Sequence, residues 1–595
     1  MLLAGALAPW RSGAAAPSPA RGNILRVAFE AAETGFDPAQ VSDLYSARVN
    51  AHIFEALYHY DLFAVPVKIL PLTAAALPQV SADFRVWTVA LRPGIYFADD
   101  PAFRGQRREL VAQDYVYALQ RYFDPATKSP GLSSLLEEGI EGLSERRDEA
   151  LRTGRAFDYD TPMAGLHAPQ RHTLVVRLRA PRPRFLHTLC SSSSMGAVAR
   201  EVVEHYGADI MAHPVGTGPY RLAQWRRSSR IVLARNPEYR DVRYEGQPAA
   251  DDVQAQAWVA QYAGRRVPLN DGVEISVLEE GQSRWLAFLS GQVDIVRVPP
   301  EFTNFAAPNG TLAPNLARQG IGMRRYVNPD FAMSWFNMDD PVVGGYTPDK
   351  VALRRAIALA YDIDREIRVV RRGGAIAAQA PMPPGTYGYD PTYRSDNSAF
   401  DPARAQGLLD VFGYRDTNGD GWRELPDGRP LVLHMATQGS QIERQFDENW
   451  QRSLQAVGLR MEFKIAQWPE NLKAARAGRL QMWSLASSLG ADGQPALGLM
   501  YGPSSGSRNF ARFKLPAFDA VYERMLDLPD GPQRAALFRQ ASELVAAYMP
   551  YRIHVHRIYT DVHHPWVHSW RQALFRNECW HFVDVDVRLR EHLVG

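Results

Sequence analysis

The sequence predicts an α/β fold of more than one lobe, and three observations carry that prediction. A short helix closed by glycine and followed at once by a strand occurs twice. Residues 284–290, Gly291 and Val293, Ile295 and Val296 form the first case; residues 472–477, Gly478 and residues 480–485 form the second. Helix, glycine cap, strand is the pattern of an α/β crossover. Strand and helix patterns alternate from Asn23 to about Trp580, and 595 residues exceed a single core when domains average about 100–200 residues.

Taken in order, residues 24–29 read as an opening strand, followed through Gly35 and Asp37-Pro38 by a helix over about 43–58, with Val49, Ile53 and Leu57 on one face. Residues 87–91 and 174–178 read as strands; in the second, Leu174, Val176 and Leu178 alternate with Arg177 and Arg179. A helix over 112–122 lies between them. Residues 350–367 read as one helix, with Leu353, Ile357 and Tyr361 at i, i+4 and i+8, and a further helix spans about 442–456. Irregular stretches at 136–165, 241–272 and 299–320 mark insertions or boundaries, and no internal repeat is present.

Composition narrows the function. Lys plus Arg at 67 against Asp plus Glu at 65 gives a formal charge of +2, too balanced for a chain drawn to nucleic acid by phosphate charge. Only six of the basic residues are Lys, which no site requires. Beyond the first ten residues, no stretch approaches the roughly 20 apolar residues that span a bilayer. Residues 1–22, with an apolar Met1 to Trp10, Arg11 and small residues at 14–20, read as a secretory signal or a lead-in, although no basic region precedes the apolar run. Export follows, and the periplasm is the expected location. Cys190 and Cys579 permit one disulfide and prove none. No phosphate-binding glycine loop, dinucleotide fingerprint or His-Glu-x-x-His occurs, so no cofactor is expected.

Four collinear segments resemble the family 5 solute-binding proteins of ABC importers, the oligopeptide-, dipeptide- and nickel-binding group. The most specific is Pro214-Val215-Gly216-Thr217-Gly218-Pro219-Tyr220, followed by Trp225, Ile231-Val232-Leu233 and Arg235-Asn236-Pro237-Glu238-Tyr239. The others are Leu91-Arg92-Pro93-Gly94-Ile95-Tyr96-Phe97 with Asp114-Tyr115-Val116, then Trp335-Phe336-Asn337 with Arg354 to Arg365, and Phe36-Asp37-Pro38 with Ile53 to Leu57. The two glycines of the first segment suit positive φ or close backbone approach, which reads as scaffold. Val111 stands where the family has a capping Thr or Ser, so that helix either starts later or is capped by Gln113 or Asp114.

The resemblance implies a two-lobed periplasmic binding protein fold (class II, large cluster C type) with an extra inserted domain. Lobe 1 (domain I) would hold 24–65, 207–302 and 552–595, domain II would be 66–206, and lobe 2 (domain III) would be 303–551. It also implies a monomer without catalysis that captures a peptide or similar polar solute between its lobes and delivers it to an ABC permease and ATPase complex. A metal-chelate binder of nickel or heme type is the alternative within the fold. Hinge closure would report loading, provided that ligand binds the closed state better.

By the same resemblance, ligand contacts fall on Asp43, Leu44 and Tyr45, with Tyr45 as an aromatic wall, and on Trp483 and Asp492, the latter as partner of a peptide amino group. The family's Asp-Tyr-x-Asp-Pro pattern is degraded here to Gly490-Ala491-Asp492-Gly493-Gln494-Pro495, and Asp492 also reads as a turn residue. Asn509 and Arg512 could reach a ligand carboxylate or backbone from a surface loop.

Three further signals have plainer readings beside the chemical ones. Gly502-Pro503-Ser504-Ser505-Gly506 matches a nucleophile elbow, which would make an exported hydrolase using Ser504, but Pro503 and the polar run after it read as a loop. Asp416, Asn418, Asp420, Trp422, Glu424 and Asp427 fall at calcium-loop positions, with Gly421 at the sixth; a strand after Arg429 and Asp at the twelfth position favour a hairpin turn. His554, His556, His563, His564 and His568 could ligate a metal, yet no cysteine or carboxylate stands at ligand spacing.

Overall fold

The computed structural model describes residues 22–65, 67–395 and 398–594; the signal or lead-in expected at 1–22 lies, but for Gly22, outside them. A twelve-stranded sheet organises the molecule. Its strands are β1 (Ile24–Phe29), β2 (Tyr220–Arg226), β3 (Arg230–Arg235), β4 (Gly272–Val277), β5 (Ile295–Arg297), β6 (Gly322–Val327), β7 (Asp330–Phe336), β8 (Ala375–Ala377), β9 (Val432–Thr437), β10 (Arg460–Ile465), β11 (Met482–Ser488) and β12 (Tyr551–His563). They run in the order β10-β9-β11-β7-β12-β5-β1-β4-β3-β2, with β6 and β8 also on β12.

Strand β12 holds the two halves together. Its start pairs with β7, from Trp335 against Tyr551 to Ala332 against Val555. Its end pairs with β6, from Val327 against Ile558 to Gly322 against His563, and with β5. Each half has its own core. Leu25, Val27, Phe29, Ile231, Leu233, Val273 and Ile275 alternate inward on β1, β3 and β4, as strands half-covered on one face require. Leu353, Ile357, Leu433, Trp450 and Met482 build one core of the other half, and Trp335, Trp483, Phe518 and Phe538 a second.

Phe302, Ala306, Leu316 and Ile321 pack with Trp285, Phe288 and Val562. Residues 303–327 therefore lie with the β1 half, and the chain crosses between the halves at Asn328 and Pro329. A separate antiparallel sheet, with strands Gln79–Val80, Val86–Ala90, Thr173–Arg177 and Leu166–Gln170 in that order, packs Trp87, Val89, Leu174 and Val176 against Tyr115 and Leu119. The last two stand on helix α2 (Ala112–Phe123), whose first turn is served by Asp114: its carboxylate accepts from the Val111 N–H at 2.8 Å.

Two expected helices are shorter than periodicity suggests. Helix α1 (Leu44–Ile53) stops five residues before Tyr58, which instead begins the strand Tyr58–Tyr60. The cause is the Gly216–Gly218 turn. The Gly218 N–H donates to the Ile53 carbonyl at 2.8 Å, and a β-carbon on Gly216 would lie 2.1 Å from that same oxygen. The glycines thus serve close backbone approach. Helix α3 (Pro348–Ala360) ends before Tyr361, and a π turn at Glu366–Val370 follows in place of continued helix. Buried Arg354 fixes α3 by donating to the carbonyls of Val343, Gly345 and Tyr548. Among the described residues no helix is long and apolar enough to cross a membrane.

Candidate ligand cleft

A cavity of about 830 Å³ lies between the two halves of the sheet. Glu30, just past β1, and Arg297 and Val298, at the end of β5, form one wall; Met435, Ala436 and Thr437, at the end of β9, with β11 and helix α4 (Gln441–Gln455) form the other. Arg557 to Thr560 of β12 line its floor. The carboxyl ends of parallel strands meet here, where chain reversals leave backbone and side chains free to meet a solute.

A buried polar relay runs through the second wall. Ser334 on β7 and Ser484 on β11 face one another across the ladder, with their Oγ atoms 2.6 Å apart. Ser334 Oγ is also 2.8 Å from His554 Nε2. His554 Nδ1 lies 3.0 Å from Glu366 Oε2, to which Tyr361 donates its hydroxyl at 2.7 Å, while Arg371 Nε meets Oε1 at 2.6 Å. The π turn is what brings Glu366 and Arg371 to one place. Burial opposes ionisation of Glu366, but Arg371 and His554 overcome it and hold the carboxyl well below its usual range. Burial, with Arg552 nearby, lowers His554 to about 4 against the pull of Glu366, so the imidazole is neutral near pH 7. Order and distances resemble a Ser-His-acid triad, but Ser334 is fully buried; only Ser484 and the far groups border the cavity.

Two carboxylates stand one turn apart on the α4 wall. Asp447 accepts from Thr437 Oγ1 at 3.0 Å, and burial raises its carboxyl to about 6. Burial first, then the charge of Asp447, raises Glu443, against the more distant Arg371. Three of the four arginines lining the cavity are paired with carboxylates: Arg371 with Glu366, Arg557 with Asp330 at 2.8 Å, and Arg297 with Asp561 at 3.6 Å while lying 3.8 Å over the Tyr559 ring; the fourth, Arg372, donates to the Pro300 carbonyl at 3.1 Å.

None of the ligand contacts expected from the sequence is among the residues lining this cavity. Tyr45 packs its ring 4.9 Å from Phe29, and burial and then Glu30 raise its hydroxyl, which places it beside the β1 wall. Asp43 caps α1, accepting from the Ser46 N–H at 2.7 Å and the Thr34 hydroxyl at 2.6 Å, and Leu44 is half exposed. Trp483 is fully buried against Trp468, on the side of β11 away from Ser484. Asn509 is buried and spends its amide on Tyr501, Phe513 and Tyr551. Arg512 donates to the Arg476 carbonyl.

Asp492 lies at a different junction, where the inserted domain meets the β9–β11 half. Arg184 Nε and Arg534 Nη2 each approach Asp492 Oδ2 to 2.7 Å. Burial would raise this carboxyl, but the two guanidinium groups lower it on balance. Arg184 also pairs with Asp530, Arg182 with Asp527 at 3.5 Å, and Arg508 with Glu137 at 3.2 Å. A row of ion pairs thus joins the inserted domain to the β9–β11 half.

The remaining signals sit in turns. Ser504 ends a 3-10 turn at Gly502–Ser504 with no strand before it, so the strained elbow of a hydrolase is not formed. Among the described residues Asp416, Asp420 and Glu424 are the one acidic or histidine group at metal-ligand spacing. Asp416 accepts from the N–H groups of Gly419 and Gly421, and Asn418 from that of Asp420. Glu424 accepts from Thr417 and Asn418; Asp427 turns to Arg429, while Trp422 offers its N–H to Asp420. His556 bonds the Asp330 carbonyl, and His564 that of Phe288. Cys190 and Cys579 are buried free thiols.

Sequence reasoning missed Ser334, Ser484, Glu366, Glu443 and Asp447. The readable signal was a serine between large apolar neighbours, Met333-Ser334-Trp335 and Trp483-Ser484-Leu485, within two strands. Buried polar groups need partners, and paired strands supply them.

Two α/β halves joined through one strand, with a cavity between them, define a two-lobed solute-binding protein. The chain belongs to the bacterial extracellular solute-binding proteins, family 5, whose model matches residues 68–509. It is 26% identical to di/tripeptide-binding protein 2 of Pseudomonas aeruginosa, over 94% of each chain. The fold matches DppA of Helicobacter pylori in complex with the peptide STSA, at TM-score 0.69 and 20% identity, over 94% of this chain and 98% of that one. It also matches NikA of Brucella suis in complex with Fe(III)-EDTA, at TM-score 0.72 and 18% identity, over 95% and 100%.

Proposed function

We propose that the chain captures a short peptide in the cavity between its lobes and delivers it, as a periplasmic monomer, to an ABC permease and its ATPase. The observation that carries this reading is the 830 Å³ cavity at the carboxyl ends of strands from both lobes, a volume suited to a small ligand enclosed by closure. The di/tripeptide-binding relative supports a peptide as solute. A metal chelate is the weaker fit, because His554, the one histidine lining the cavity among the described residues, is spent on Ser334 and Glu366.

In this reading lobe 1 holds β1–β6 with the inserted domain at 66–206, lobe 2 holds β7–β11, and the hinge is β12 with the Asn328–Pro329 crossing. Tyr45 and Glu30 border the ligand from lobe 1; Ser484, Glu443 and Asp447 do so from lobe 2. Binding without chemistry is the reading favoured, since Ser484, the relay serine that borders the cavity, reaches His554 only through Ser334. Calorimetric titration with a tripeptide pool tests the proposal: saturable binding with the peptide recovered intact supports it, and absence of binding, or cleavage, rejects it.

A further inference from the structure

The hydrogen-bond relay behind Ser484 has only one consistent direction. Glu366 is ionised and can only accept, so His554 carries its proton on Nδ1 and offers a bare Nε2. Ser334 must then donate to Nε2. Having one proton, Ser334 can only accept from Ser484 across their 2.6 Å contact. Ser484 is left with lone pairs alone toward the cavity.

The neighbouring groups have the same polarity. Parallel pairing of β9 with β11 matches Met435 with Met482 and Ala436 with Trp483, which sets Thr437 beside Ser484 on one face. Thr437 gives its proton to Asp447, and Glu443 follows one turn before on α4. One stretch of the cavity wall therefore offers a hydroxyl oxygen and two carboxylates, all acceptors. Among the described residues no arginine or lysine hydrogen-bonds either carboxylate. Asp492, which could otherwise receive a cation, is filled by Arg184 and Arg534.

We infer that Ser484, Glu443 and Asp447 form a subsite for a cationic, hydrogen-donating group of the ligand: an ammonium or guanidinium, at the α4 end of the cavity. This rests on the cavity being the ligand site and narrows its solute to one bearing such a group.

The test uses the full chain and a variant combining Glu443→Gln with Asp447→Asn. Both side chains are only partly buried, and the amides keep their size. Affinity is measured for a Lys-Ala-Ala tripeptide and for its doubly acetylated counterpart, which lacks both amines. The expected result is at least about tenfold tighter binding of the free-amine form, with the preference lost in the variant. Equal affinity for the two peptides in the natural protein, or an unchanged preference in the variant, overturns the subsite. If neither peptide binds, the peptide reading fails and 1,5-diaminopentane decides the subsite separately. Thermal stabilisation of the natural protein but not of the variant upholds it, and no stabilisation, or equal stabilisation of both, overturns it.

Discussion

Replacing Arg184 by Ala tests whether the ion pairs between the inserted domain and the β9–β11 half hold the proposed cleft closed. Arg184 is 15% exposed and reaches from the inserted domain to Asp492, 12% exposed, and to Asp530, 45% exposed, while lying 5.3 Å over Tyr387. Removing one member of a buried pair usually costs about 3–5 kcal/mol because the other charge is orphaned. Here Asp492 keeps Arg534 at 2.7 Å, so that penalty does not apply. The pair with the more exposed Asp530 adds at most about 1 kcal/mol, and a charged contact of the Asp492 kind about 1.5 kcal/mol or somewhat more. The sum is about 2 kcal/mol, or roughly 30-fold in the closed-to-open ratio at about 1.4 kcal/mol per factor of ten. Apparent ligand affinity falls by up to the same factor where closed protein is the binding form. The assay is the distance between spin labels on cysteines introduced at Leu151 and Val411, both exposed. Cys190 and Cys579 are buried, and burial raises both thiols, so they stay unlabelled. An unchanged distance distribution together with unchanged affinity would refute the latch.

Other outcomes follow from single residues. Cationic peptide binding weakens as pH falls through about 6, because protonation of Asp447 removes the charge facing the ligand; titrations across that range, compared with Asp447→Asn, check this. Thr437 and Glu443 face Asp447 directly and Arg371 only at longer range, so no other group there reverses the sign. The raised carboxyl also makes the folded chain bind its proton more tightly than the unfolded chain does. Stability gained by protonation therefore appears as pH drops from about 6 toward the ordinary carboxylate range, and Asp447→Asn should raise the unliganded thermal midpoint at neutral pH. Gly216→Ala drives a methyl group to 2.1 Å from the Ile53 carbonyl, which α1 cannot yield; denaturant melts should show a loss of about 3 kcal/mol or failure to fold. Calcium should leave the thermal midpoint unchanged, since Asp416, Asn418 and Glu424 already accept from their own loop and Asp427 from Arg429.

Much of the fold was legible because glycine and periodicity carry local information. The Gly291 and Gly478 caps and the inward alternation of β1 follow from contacts within a few residues. Helix lengths were less legible. Nothing near Leu57 says that α1 must stop at Ile53, because the stop is imposed by Gly216 and Gly218 more than 160 residues on. The packing of Phe302 and Leu316 with Val562 is equally remote from any local pattern. The site was least legible. Asp43 and Asn509 looked like ligand contacts because capping and loop residues share their chemistry with binding residues. Ser334, Ser484, His554 and Glu366 come from four separate stretches; the pairing of β7 with β11 and β12 gathers the first three, and the π turn at Glu366–Val370 adds the fourth.

A crystal structure of the full chain with a bound lysine-containing tripeptide tests the central claim most directly. The peptide should lie between Glu30 and Arg297 on one side and Ser484 on the other, with an amine against Asp447 and Glu443. A peptide bound outside that cavity, or one whose amine lies at Asp492 with Arg184 displaced, would contradict it.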